Sequence, residues 1–244
     1  IYTFIDKQIL SLICNQEIAF GGAYRGIFQD KHVDQYPLVK SNTEAHMQTY
    51  RKDDVVFKDD HRPCNSSGVC NLLTIHRLSP EKDIENICKT AFILRQQNIN
   101  FIWKIIGDGP SKNRFVSLIE KYDLHDYVKL LGNIDHGDLF NSIIDETNIY
   151  ILPNRHTGVG TGRSGWEMMA KGLPCVFPPL AKRYHYKHNI NCMITKSGSS
   201  KEYAECVLDL MSDSAKTSFM SKNASLTASE NALEPAVNHF FSYI

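Results

Sequence analysis

From Val69 onward, short apolar runs alternate with stretches whose apolar residues recur every three or four positions, and this alternation restricts the chain to one class of architecture. Such runs suit strands buried on both faces of a parallel sheet, and the periodic stretches suit crossover helices. Strands are expected at residues 69–75, 101–106, 127–131, 149–152, 173–177 and 191–195. After the first, Ser79 is placed to cap a helix, Pro80 holds its first position, and Ile84, Ile87, Cys88, Ala91 and Phe92 form its apolar stripe. Phe115, Leu118 and Ile119 face inward from a helix over 111–122, Leu139, Phe140, Ile143 and Ile144 line the next, and another is expected over 201–211. The result is an α/β fold, a Rossmann-like parallel sheet with helices on both faces, assigned to residues 69–228.

Within that frame the stretch 148–176, NIYILPNRHTGVGTGRSGWEMMAKGLPCV, holds the residues best suited to chemistry. Two apolar runs flank a loop carrying Gly158, Gly160 and Gly162, and Trp166, Met169 and Ala170 mark one face of a helix that stops at Gly172. A glycine-rich loop either makes a turn and nothing more, or lays its N–H groups against a ligand. The position at a helix N-terminus favours an anion such as phosphate, because unpaired N–H groups and the positive dipole end meet there.

Gly160, Gly162, Glu167, Ala170, Gly172, Leu173 and Pro174 stand in the order and spacing of the donor-site signature of retaining GT-B glycosyltransferases, and the chain resembles glycosyltransferase family 4 in particular. Val159 occupies the place of the signature's first glutamate, and Glu167 that of the second. The passage from His76 to Ile87 resembles the family's G-R-L-x-x-x-K-G, with Arg77 and Lys82 matching and with His76 and Asp83 in place of the two glycines. By this resemblance Arg77 and Lys82 are the catalytic cations that hold the donor diphosphate. Gly107, Asp108 and Gly109, followed by Pro110, match the turn I-G-D-G-P, and Leu131, Gly132 and Asn133 match the L-G-x segment beside the nucleobase. Thr157, Gly160, Thr161, Gly162, Arg163 and Ser164 complete the donor loop, and Glu167 is placed to bind the ribose hydroxyls, its plainer role being a first-turn acid favoured by the helix dipole.

The resemblance implies sugar transfer from a UDP-, GDP- or ADP-sugar to a hydroxyl of a glycan or lipid-linked acceptor, with retention, no metal and no cofactor. It makes residues 1–68 a partial N-terminal, acceptor-side domain with its linker, and 229–244 a C-terminal segment that either packs as a terminal helix or crosses back between domains. In 1–68 the pattern gives a helix over 6–14, a strand over 37–41 with a helix capped at Asn42 or Thr43, and a polar linker over 51–67. The chain opens on Ile1, so an upstream portion is expected and these residues alone are expected to transfer little sugar. A non-catalytic nucleotide-sugar-binding subunit and a sugar-nucleotide epimerase are the competing readings.

Composition bears on partners and compartment. Lys plus Arg and Asp plus Glu each number 27, which gives no bulk charge for nucleic-acid binding. The cysteines, 7 in number, show neither C-x-x-C pairs nor zinc spacing, which suits reduced thiols in the cytoplasm. Lys182, Arg183, His185, Lys187 and His188 form a basic cluster that is either a solvated loop or a contact for donor phosphate or for a lipid-linked acceptor at a membrane face.

Overall fold

The computed structural model describes residues 55–57, 68–154, 161–179 and 185–231. Every one of these residues except Asn231 lies in a compact unit spanning Lys52–Glu230. The elements expected at 6–14 and 37–43, most of the linker and the aromatic end of the chain lie outside the described residues.

Six strands form one sheet: β1 (Cys70–Ile75), β2 (Phe101–Ile106), β3 (Val128–Gly132), β4 (Ile149–Ile151), β5 (Cys175–Phe177) and β6 (Met193–Ile194). Their order is β3-β2-β1-β4-β5-β6, and every pairing is parallel. The helices that cover its two faces are α1 (Ile84–Gln96), α2 (Lys112–Lys121), α3 (Asp138–Glu146), α4 (Gly162–Ala170), α5 (Ser200–Ser212) and α6 (Ser214–Glu230). Leu72, Trp103, Phe101, Phe115, Leu94 and Tyr203 are sealed in the core. Burying each such side chain contributes roughly 1.5–3 kcal/mol relative to exposure. The indole of Trp103 donates to Thr74 Oγ1 at 3.0 Å, and that hydroxyl donates to the Ile151 carbonyl at 2.6 Å, so one polar chain ties β2, β1 and β4 together inside the apolar core.

Two local features differ from the sequence-based expectation. Ser79 does not cap α1: its hydroxyl bonds Glu81, a 3-10 turn occupies Pro80–Lys82, and α1 begins at Ile84. Asp83 joins the two with φ 44° and ψ 47°, a left-handed conformation. Glycine takes that conformation freely, and aspartate is among the few other residues that tolerate it. The other feature is α6, for which hydrophobic periodicity gives no signal. Its buried face is Thr217, Met220, Ser221, Ala224, Ser225 and Ala228, of which half carry hydroxyls. Ser221 donates to the Gly172 carbonyl, Thr217 to Leu210 and Ser225 to Val56, so a face that reads as polar is satisfied by backbone oxygens and packs closely on α4.

Candidate functional site

The strand order reverses between β1 and β4, and at such a point the loops leaving the carboxyl ends of the two strands diverge and open a crevice. A cavity of about 930 Å³ lies there, lined by Ile75, His76, Arg77 and Lys82 on one side and by Thr161, Gly162, Arg163 and Ser164 on the other.

The loops around it are joined backbone to backbone. His76 N–H donates to the Ile106 carbonyl at 3.1 Å, Leu78 N–H to Asp108 at 2.9 Å, Ser111 N–H to Leu78 at 2.9 Å and Gly107 N–H to Gly132 at 2.7 Å. This close approach requires glycine at two positions: a Cβ on Gly107 would stand 2.0 Å from the His76 carbonyl oxygen, and one on Gly109 would stand 2.3 Å from that of Leu78. These contacts hold Arg77 and Lys82 over the carboxyl end of the sheet.

On the far side, α4 begins at the cavity. Thr161 precedes it, and its hydroxyl shares a 2.8 Å hydrogen bond with the Tyr186 hydroxyl instead of capping the helix. Gly165 gives that threonine room, since a Cβ there would lie 2.3 Å from the Thr161 Cβ. Trp166 packs on Tyr186 and His185, with ring centroids 5.3 and 5.9 Å apart. At its other end the helix closes with Gly172 N–H on the Met169 carbonyl and Leu173 N–H on Met168, both at 3.0 Å, the paired bonds of a Schellman motif.

Of the residues expected in the site, Arg77, Lys82, Gly107, Asp108, Asn133, Thr161, Gly162, Arg163 and Ser164 line the cavity together. Gly109 backs onto Leu78, Gly132 gives its carbonyl to Gly107, Leu131 is an exposed edge residue, and Glu167 is half-buried on α4; none of these four is part of the cavity wall. Thr157 and Gly160 lie outside the described residues, as do Val159, Lys182 and Arg183. Of the rest of the basic cluster, His185 packs on Trp166, whereas Lys187 and His188 are exposed and off the cavity. The wall also includes His76, Asp135, Leu152 and Asn154, which the motifs did not assign to it.

The electrostatics favour an anion. Arg77, Lys82 and Arg163 face the carboxylates of Asp108 and Asp135 across the same space. Asp108 is already committed: it accepts from Lys112 Nζ and from Gly109 N–H, each at 2.7 Å, and these bonds hold its carboxyl below the usual range, Lys112 most. The positive N-terminal end of α4 adds to the cations. His76 is different. Its ring is buried, neither nitrogen has a properly formed hydrogen bond, and its pKa is pushed down to about 4. Burial is the largest cause, Lys82 adds to it, and the backbone of His76 and Arg77 opposes it too weakly to compensate.

The family model described as "Glycosyl transferases group 1" matches residues 67–227. The chain is similar to AmsK of Erwinia amylovora, named an amylovoran biosynthesis glycosyltransferase, with 28% identity over 149 residues that cover 57% of this chain and 35% of that protein. It spans about a third of the length of the curated relatives it matches first, at 30%, 27% and 35%. Among solved structures, Anabaena Alr3699/HepE in complex with UDP is similar at a TM-score of 0.62 and 20% identity, covering 73% of this chain and 50% of that one. The C-terminal domain of LpcC, a glycosyl transferase group 1 family protein from Francisella tularensis, gives a TM-score of 0.59 at 15% identity, covering 73% of this chain and 95% of that one. These likenesses establish the fold.

Proposed function

The chain belongs to the glycosyl transferases group 1 family, and from that premise we propose that residues 69–228 are the donor-binding domain of a retaining, metal-independent GT-B glycosyltransferase of the family 4 type. The enzyme moves a sugar from a UDP-, GDP- or ADP-sugar to a hydroxyl of a glycan or lipid-linked acceptor during polysaccharide synthesis. The observation that carries this reading is the meeting of Arg77, Lys82, Arg163 and the first turn of α4 in one cavity at the point where the strand order reverses. The UDP present in the similar Anabaena structure supports the choice of a nucleotide donor.

Each group has a task suited to its chemistry. Arg77 offers a planar fork of donors to the diphosphate and Lys82 a mobile point charge. Negative charge grows on the diphosphate as the glycosidic bond breaks, so these cations and the α4 dipole stabilise the transition state more than the bound donor. Gly132 and Asn133 border the base, and Glu167 accepts from the ribose hydroxyls. With Val159 in place of a glutamate, sugar recognition passes to other residues of the loop. Cytoplasmic placement belongs to the same proposal, supported by five described cysteines that are all unpaired and buried. So does acceptor contact at a membrane face through the basic loop.

The test supplies the complete protein with radiolabelled UDP-, GDP- and ADP-sugars and a panel of glycan and lipid-linked acceptors, with and without EDTA. Product that retains the donor's anomeric configuration and forms equally with EDTA is expected. Donor binding without transfer or hydrolysis would identify a non-catalytic binding subunit instead.

A further inference from the structure

Tyr150, in the middle of β4, is fully buried, and burial raises its pKa well beyond the ordinary phenol range, so the hydroxyl keeps its proton. A buried O–H needs an acceptor. Two oxygens are near: Ser164 Oγ at 2.9 Å and the Ile75 carbonyl at 3.4 Å. O–H···O bonds fall at about 2.5–3.0 Å, so the proton goes to Ser164. The Ser164 oxygen is thereby used as an acceptor by the protein, and its own hydrogen must point elsewhere. Among the described residues no acceptor meets that hydrogen, and Ser164 lies on the cavity wall in the first turn of α4.

We propose that Tyr150 is a positioning residue that fixes Ser164 as a hydrogen-bond donor toward an anionic oxygen of the bound nucleoside diphosphate. This rests on the reading of the cavity as a donor site. A serine hydroxyl in water rotates freely and offers lone pairs as readily as its proton, whereas here one lone pair is engaged from beneath and the donor side is left for the ligand. The bond to an anion is charge-assisted and lies at the positive end of α4.

Calorimetry tests this with UDP, GDP and ADP on the whole chain, the tightest binder then being titrated into variants together with its nucleoside monophosphate. Ser164→Ala is expected to weaken the diphosphate about tenfold, and Ser164→Thr, which keeps the hydroxyl, to bind close to wild type. Tyr150→Phe is expected to weaken binding about threefold or more on its own, but to add nothing once Ser164 is alanine, because the tyrosine acts only through the serine. Weakening by the two changes that multiplies would overturn the coupling. Diphosphate affinity unaltered in Ser164→Ala would overturn the proposal outright, and that variant decides the matter even if Tyr150→Phe melts early. Failure of wild type to bind any of the three nucleotides sinks the donor-site reading itself, which is a different result from normal wild-type binding with indifferent variants.

Discussion

His76 makes the stability of this domain depend on pH, and the size of the effect follows from its burial. The folded ring titrates at about 4, whereas an exposed imidazole in the unfolded chain titrates near its ordinary 6.5. The unfolded state therefore takes up the proton first. Stability from this group is complete above pH 6.5, falls as pH drops toward 4, and changes no further below that. Between about pH 7.5 and pH 5 the folding equilibrium constant should fall by a factor of about 30, or about 2 kcal/mol. The matching perturbation is His76→Phe, which keeps an aromatic ring of similar size and removes the titrating nitrogens. Because neither nitrogen has a properly formed hydrogen bond, the substitution should cost nothing at neutral pH or stabilise by up to about 1 kcal/mol. Urea unfolding of both proteins across this range isolates His76, since the other histidines contribute equally to both. The difference in stability between variant and wild type should widen by about 2 kcal/mol as pH falls to about 5. Parallel curves would refute the reasoning and mean that the ring meets water or a partner in the folded state.

Three further outcomes follow from the site. Gly107→Ala puts a Cβ at 2.0 Å from the His76 carbonyl oxygen, with φ at +140°, and should destabilise the chain by about 3 kcal/mol or more, measured by chemical unfolding. Asp83→Gly relieves a left-handed backbone at φ 44° and should be neutral or raise the melting temperature, equivalent to up to about 1 kcal/mol. In the complete enzyme, steady-state kinetics should separate Lys82→Ala from Glu167→Ala: the former lowers kcat on the order of a hundredfold, the latter raises donor KM about tenfold with kcat near wild type.

The sheet and most of its helices were legible because fully buried strands and amphipathic helices leave strong patterns, as in the 101–106 run and in the stripe of Phe115, Leu118 and Ile119. Helix α6 was not, because it buries hydroxyls satisfied by the carbonyls of Gly172, Leu210 and Val56, and such pairing depends on what lies opposite. The start of α1 was misplaced because Ser-Pro-Glu-Lys reads as a capped helix, whereas the left-handed Asp83 interrupts it. At the site, motif spacing found Arg77, Lys82, Arg163, Gly107 and Gly162, which line the cavity, together with Gly109 and Gly132, which lie behind its wall. It did not find Tyr150, whose place in an apolar strand run makes it look like core alone. The one available signal was chemical: a phenol in such a run must send its hydroxyl somewhere, and here it reaches Ser164.

The central claim is that the cavity between β1 and β4 takes a nucleoside diphosphate by its phosphates, and the most direct measurement is a calorimetric titration of wild type and an Arg77→Ala, Lys82→Ala double variant with UDP, GDP and ADP. Wild type should bind at least one of them in the millimolar range or tighter, and the double variant, folded as judged by circular dichroism, should lose at least about tenfold in affinity. Equal affinities in the two proteins, or no binding of any nucleotide by folded wild type at millimolar concentration, would contradict it.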